Sequence, residues 1–280
     1  MIVYFNGEFL PKAQLSISPD DRGFLFADGA YEVIRCYRGK LFQAIAHIKR
    51  LERSIGELRI DLPDVMELFE VAQKLIEDNQ LTSGQAIIYL QITRGVAPRT
   101  HRFPPEETPA TVYAYAAPFK PHQNELDNGT KIILVSDTRW SRCDIKSISL
   151  LPNILAHQQA IDEGATEAVF VRDGVITEGA HTNFCGIFNG ELVTAPISNY
   201  ILAGITREIV LDLCRKLSIP VREFPIFESD LKKADELMLV GTTVEITPVV
   251  QVNDCQVGDG KPGPLTRKLQ KAFYELLQNQ

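Results

Sequence analysis

The signatures of the commonest enzyme classes are missing from this sequence. No Gly-x-Gly-x-x-Gly follows a strand-like run, no Walker-type loop occurs, and no Gly-x-Ser-x-Gly elbow is present. That removes the usual dinucleotide, nucleoside-triphosphate and hydrolase signals. The histidines, His47, His101, His122, His157 and His181, show no metal-ligand spacing, so no metal site is expected. Cys36, Cys143, Cys185, Cys214 and Cys255 are scattered, without a CxxC pair. An odd count with no framework suggests a reducing compartment. The first residues carry no basic stretch before an apolar one, and no apolar run approaches the length of a membrane span, so a cytoplasmic protein without a membrane partner is expected. Positive charge is also in deficit. The net charge is −7, which argues against a nucleic-acid partner but leaves room for small anions at a local positive site.

With 280 residues, 45% of them hydrophobic, the chain is long enough for one large domain or two smaller ones. The start reads as a hairpin, Ile2 to Phe5 and Glu8 to Leu10 about an Asn6-Gly7 turn. Between Ala44 and Ile60, the residues Ile45, Ile48, Leu51, Ile55 and Leu58 share a helical face. Pro63-Asp64 is expected to start a second helix with Val65, Leu68, Ala72, Leu75 and Ile76 inward. Strands are expected at 86–92, 111–117, 131–135, 167–171 and 236–240, and helices at 151–163, 206–217 and 265–277. Strands and helices mix without strict alternation, which predicts an α+β fold rather than a doubly wound sheet. Pro118-Phe-Lys-Pro-His-Gln-Asn124 is polar and proline-bearing, a candidate linker. The expected division is a smaller domain over 1–118, a linker over 119–124 and a larger domain over 125–280.

Four places could carry chemistry. Lys146 lies in the turn Ser141-Arg-Cys-Asp-Ile-Lys146-Ser between a strand and a helix. Lysines are usually solvated, but a turn between apolar elements could bury this one and leave an amine able to attack a carbonyl. Gly204-Ile-Thr206-Arg opens an amphipathic helix. It reads either as a plain helix start or as a phosphate site built from backbone N–H groups and the Thr206 hydroxyl. Thr177-Glu178-Gly179 looks like a turn whose Glu is solvated unless a cationic nitrogen needs it. Arg94, Arg99, His101 and Arg102 crowd one loop, which is either a solvated basic loop or a carboxylate trap.

In their order along the chain, these segments resemble the fold-type IV pyridoxal-phosphate (PLP) aminotransferases. The likeness also takes in Asp21-Arg-Gly-Phe-Leu-Phe-Ala-Asp-Gly-Ala-Tyr31-Glu, His47-Ile-Lys-Arg50-Leu and Gly241-Thr-Thr-Val-Glu-Ile-Thr-Pro248, and it spans nearly the whole chain. The resemblance implies a smaller N-terminal α/β domain and a larger C-terminal domain with a β-barrel-like core. It implies pyridoxal 5′-phosphate as cofactor and a homodimer with shared sites. Lys146 looks like the Schiff-base lysine, and Glu178 like the partner of the pyridine nitrogen. Arg50, Ile205, Thr206 and Thr242 would hold the phosphate, and Leu202 would pack on the ring. Tyr31, Arg99 and His101 match the residues that bind the substrate α-carboxylate in the D-amino-acid transaminase branch, the last two reaching in from the neighbouring subunit. That branch moves amino groups between D-amino acids such as D-alanine and D-glutamate and 2-oxo acids such as pyruvate and 2-oxoglutarate. A branched-chain L-aminotransferase and an aminodeoxychorismate lyase share the fold, and the Arg-x-His pair counts against both. Ala180, His181 and Gly241 depart from the family, which usually has hydroxyl residues after the Glu-Gly pair and, in some members, at 241.

Overall fold

The structure, a computed structural model, describes residues 1–279. The chain parts into two compact units. One comprises Met1–Lys120 with Ile145–Leu150, the other Pro121–Asp144 with Leu151–Gln280. The short segment carrying Lys146 thus belongs to the first unit, although it lies well inside 125–280 in sequence.

The first unit opens with the hairpin β1 (Ile2–Phe5) and β2 (Glu8–Pro11). Its turn places Asn6 and Gly7 at φ 47° and 95°, the left-handed backbone that an Asn-Gly pair accepts at low cost. There follow α1 (Arg22–Phe26), β3 (Gly29–Tyr37), β4 (Lys40–Leu41), α2 (Ala44–Glu57), α3 (Leu68–Asp78), β5 (Gln85–Thr93) and β6 (Thr111–Pro118). The second helix starts later than Pro63-Asp64 predicts. Asp64 sits at φ 54° and a 3₁₀ turn, Val65–Glu67, precedes α3. The strands form one sheet in the order β2-β1-β6-β5-β3-β4, with antiparallel pairings throughout. Side chains alternate across a strand, so Ala86, Ile88, Leu90 and Ile92 of β5 enter the core with Ile48, Leu51 and Ile55 of α2 and Ala72, Leu75 and Ile76 of α3. The opposite face carries tyrosines: Tyr31 stacks on Tyr89, and Tyr89 on Tyr115, with ring centroids 5.8 and 5.3 Å apart.

The second unit contains α4 (Gln123–Asn128), β7 (Thr130–Ser136), α5 (Leu151–Asp162), β8 (Glu167–Arg172), β9 (Val175–Gly179), β10 (Asn183–Phe188) and β11 (Glu191–Thr194). It continues through α6 (Ile205–Lys216), β12 (Val221–Glu223), β13 (Ile226–Phe227), β14 (Glu236–Gly241), β15 (Glu245–Val252), β16 (Cys255–Gln256) and α7 (Pro264–Gln278). Its strands run in the order β12-β11-β10-β14-β15-β7-β8-β9-β13, with β16 paired to β15. The curled sheet is a half-barrel that does not close on itself, and the mixed helix and strand content is the expected α+β composition. Gln123 and Asn124, at the end of the proline-bearing stretch, already belong to α4. Among the described residues, no helix is long and apolar enough to cross a membrane.

All five cysteines are free, and only Cys255 is exposed. Burial pushes the Cys143 and Cys185 thiols up to about 11 and Cys214 to about 12, and it raises Cys36 as well. Thiolates react and thiols do not. Near neutral pH, a thiol reagent such as dithionitrobenzoate should therefore label one cysteine per native chain, and none in Cys255→Ser. Rapid labelling of a second site would show that the buried thiols are not shielded in this way.

Candidate active site

In the first unit, the chain at Lys146 lies along the start of β3. Tyr31 N donates to the Lys146 carbonyl at 3.0 Å, Ile148 N to the Gly29 carbonyl at 3.0 Å, and Lys146 N to Ser54 Oγ of α2 at 3.3 Å. These backbone bonds aim the half-buried Lys146 side chain at the tyrosine face of the sheet. Its Nζ donates to the Tyr31 hydroxyl at 3.3 Å. Among the described residues, no carboxylate forms an ion pair with Lys146. Tyr31 and Lys146 are thus brought together, on the sheet face opposite the core packed against α2 and α3.

The next residue of β3, Glu32, points the other way and is fully buried. Arg50 Nε and Nη2 of α2 donate to its two oxygens at 2.6 and 3.0 Å, and His47 Nδ1 lies 2.8 Å from Oε2. Burial alone would raise the Glu32 pKa, but Arg50 and His47 hold it well below the carboxylate range. Burial conversely keeps the His47 imidazole low despite the pull of Glu32. The predicted phosphate residue Arg50 is therefore positioned by a buried carboxylate. The adjacent apolar sequence gave no reason to expect that charge in the core.

The cationic loop divides. Arg94 is buried and pairs through Nε and Nη2 with Asp28 at 2.8 and 2.9 Å, while donating to the carbonyls of Arg59 and Leu58. It is a structural residue, and its place in a basic cluster is corrected. Arg22 also binds Asp28 at 2.8 Å, and its Nη1 donates to the Thr100 carbonyl at 2.8 Å. Burial opposes ionisation of Asp28, but Arg94 and Arg22 together hold its carboxyl below the usual range. The two arginines thereby tie down a loop on which Arg99 and His101 stay exposed. Arg99 lies over the Phe26 ring at 5.1 Å, and the His101 ring centroid is 5.8 Å from that of Phe26. Among the described residues, no hydrogen bond, ion pair or ring contact joins Arg99 or His101 to Tyr31 or Lys146.

In the second unit, Glu178 is not in a solvated turn. It stands at the end of β9 and is buried. Its Oε1 accepts from Arg139 Nη1 at 2.6 Å, and its Oε2 from Asn183 Nδ2 at 3.1 Å and Leu202 N at 2.9 Å. Arg139 is held in turn by Asp137, at 2.9 Å from Nε and 3.0 Å from Nη2. Burial would raise the Asp137 pKa, but Arg139 outweighs it and lowers it. Asp137, Arg139 and Asn183 escaped the sequence reading. The only available signal was an Asp and an Arg two residues apart, just past a strand.

Asn183 also donates to the Leu202 carbonyl at 2.9 Å. A Cβ on Gly204, the N-cap of α6, would lie 1.8 Å from Asn183 Oδ1, so a side chain there would have to displace the amide that binds Glu178. That helix starts at Ile205 without a side-chain cap. The first backbone N–H groups of a helix have no acceptor within it and favour an anion, and Thr206 is buried beside them. Thr242 lies in the turn between β14 and β15, one residue beyond Gly241, whose backbone packs against His181 and Thr182. Glu178 and Leu202 thus meet directly, and Ile205 and Thr206 follow within one turn of chain.

Comparison with known proteins supplies the context for these two sets of residues. Residues 29–252 match the family described as amino-transferase class IV. The chain is 42% identical over 278 residues to D-alanine aminotransferase from Staphylococcus haemolyticus, covering 99% of this chain and 98% of that protein. It is 40% identical over 274 residues to D-alanine aminotransferase from Bacillus licheniformis, covering 98% of this chain and 96% of that one. Among solved structures, branched-chain amino acid aminotransferase from Escherichia coli superposes with a TM-score of 0.87 at 28% identity, covering 98% of this chain and 93% of that chain.

Proposed function

The chain belongs to the class IV aminotransferases, and on that premise we propose that it is a D-amino-acid transaminase that uses pyridoxal 5′-phosphate. The observation that carries the reading is the likeness to D-alanine aminotransferases at about 40% identity over nearly the full chain. The branched-chain alternative rests on a weaker likeness, 28%. The substrates would be D-amino acids such as D-alanine and D-glutamate, with pyruvate and 2-oxoglutarate as the matching 2-oxo acids.

The residues present fit the cofactor. An uncapped helix start with a buried threonine suits its phosphate, and a lysine without a carboxylate partner suits its aldehyde. Bound PLP would supply an electron sink for charge developing on the substrate Cα. Lys146 would link to the cofactor and move the proton from Cα, with the Tyr31 hydroxyl holding its Nζ in place. Glu178, oriented by Arg139, Asn183 and the Leu202 amide, would hold a proton at the pyridine nitrogen. Arg50, the α6 start at Ile205 and Thr206, and Thr242 would hold the phosphate, and Leu202 would pack on the ring. Tyr31, Arg99 and His101 would bind the α-carboxylate and so select the hand of the substrate.

We also read the chain as a homodimer in which Arg99 and His101 serve the partner's substrate. Their lack of contact with Tyr31 or Lys146 in their own chain supports this. So do Leu151, Ile154 and Leu155 of α5, which are 61–66% exposed on one stretch of helix and form an apolar surface of the kind that marks an interface. A cytoplasmic location is the companion reading, supported by five unpaired cysteines.

The test is a single turnover. With PLP-loaded protein and no acceptor, D-alanine should release one pyruvate per chain and L-alanine none, and initial rates with both substrates should give parallel double-reciprocal lines. Release from L-substrates alone would move the chain to the branched-chain side. Arg99→Leu should lower kcat/KM for D-alanine by about 10- to 100-fold, the worth of a charge-assisted hydrogen bond. An unchanged KM would remove Arg99 from the carboxylate site.

A further inference from the structure

We propose that His157, Glu167 and His181 form a binding site for a divalent transition-metal cation. The three come from separate elements of the second unit: α5, the start of β8, and the turn between β9 and β10. His157 and His181 are too far apart in sequence for a spacing signal, yet the fold brings both to one carboxylate. One ligand atom from each residue lies within 4.8 Å of the others. His181 Nδ1 is 2.9 Å from Glu167 Oε2, and His157 Nδ1 is 3.5 Å from Glu167 Oε1. Tetrahedral bonds of about 2.0–2.1 Å place neighbouring ligand atoms roughly 3.3 Å apart. The observed separations straddle that value.

The groups around the site favour a cation. Glu167 is buried, and its carboxylate is oriented by three donors: Ala168 N at 2.9 Å, His181 N at 3.3 Å and Thr182 Oγ1 at 3.1 Å. Such outer partners are what a ligating carboxylate requires. His157 Nδ1 is shut off from solvent without a hydrogen-bond partner and faces an oxygen that can only accept. A lone pair opposite a carboxylate oxygen is repulsive unless a proton or a metal ion lies between them. Both imidazoles are about 40% exposed, which leaves an entry path and room for water to complete the coordination. Two imidazoles and one carboxylate suit Zn²⁺, Co²⁺ or Ni²⁺ rather than Mg²⁺ or Ca²⁺.

A bound ion would tie α5 and β8 to the turn that leads into Asn183, the residue that orients Glu178. Its role is therefore to stiffen the second unit, and the site stands independently of the aminotransferase reading. Calorimetric titration of the PLP-loaded protein with ZnCl₂ tests it, with circular dichroism confirming that the variants fold. The native chain should take up one Zn²⁺ with a rise in thermal midpoint. His157→Ala and His181→Ala should each weaken uptake by at least ~10-fold, a loss typical even of an outer partner. The absence of saturable one-per-chain uptake, or uptake unchanged in either variant, would overturn the proposal and leave the two imidazoles as direct partners of the Glu167 carboxylate.

Discussion

Lys146→Ala should abolish transamination, with kcat falling by at least ~10⁴, while the protein stays folded. The size follows from the proposed role, since one amine both links the cofactor and moves the Cα proton, and proton transfer alone is worth roughly 10²–10⁴. The fold should survive because what holds this segment is backbone: the Lys146 carbonyl accepts from Tyr31 N, and Lys146 N donates to Ser54 Oγ. The side chain adds a 3.3 Å bond to the Tyr31 hydroxyl and a cation–π contact with the same ring, 4.3 Å from its centroid. Lys146→Arg should be equally inactive, because a guanidinium stays protonated and cannot attack a carbonyl. A small primary amine in solution should restore part of the Lys146→Ala rate but none of the Lys146→Arg rate. Activity above one-hundredth of normal in Lys146→Ala would show that another group carries the chemistry.

Lys146 could be proposed from the sequence because its surroundings are local: an apolar strand before it, a helix after it and a turn between. The same locality made the amphipathic helices readable, down to Ile48, Leu51 and Ile55 of α2. Strand β3 was missed for a physical reason. Its inward positions include Glu32, a charge that is tolerable in the core only because Arg50 and His47 come from another element to meet it. Residue by residue, Glu178 reads as solvated unless a cationic nitrogen needs it, for a similar reason, since Arg139, which binds it, lies 39 residues away. Arg94 was the opposite case. It looked like part of a basic cluster, but its partner Asp28 lies far upstream. The buried charges Glu32, Glu178 and Arg94 are illegible because their partners are distant in sequence, and the buried Asp137–Arg139 pair shows that nearness alone does not make a charge legible either.

Glu178→Gln should cost the second-largest share of activity, a fall of about 10²–10³ in kcat, the usual loss when one preorganised electrostatic partner is removed. The isosteric amide keeps the volume but reverses part of the hydrogen bonding. Glu178 accepts from Arg139 on one oxygen and from Asn183 and the Leu202 amide on the other. A glutamine presents an oxygen to one side and an N–H₂ donor to the other, so one set of donors faces a donor. That mismatch should lower stability by about 1–3 kcal/mol, read as a drop in thermal midpoint. Asp137 still grips Arg139 through both oxygens, so the arginine is not left alone and the fold should persist. The two consequences can be separated. A purely structural Glu178 would lower the midpoint and leave the kcat of the folded fraction intact. A carboxylate that holds a proton on the pyridine nitrogen would lower kcat and shift the absorption of bound PLP. Arg139→Leu removes one donor to Glu178 and also the partner of Asp137 and of the Tyr200 carbonyl, so its effect is read as kcat of the folded fraction, where the loss should be smaller than that of Glu178→Gln. A larger loss would mean that the arginine itself touches the reacting groups.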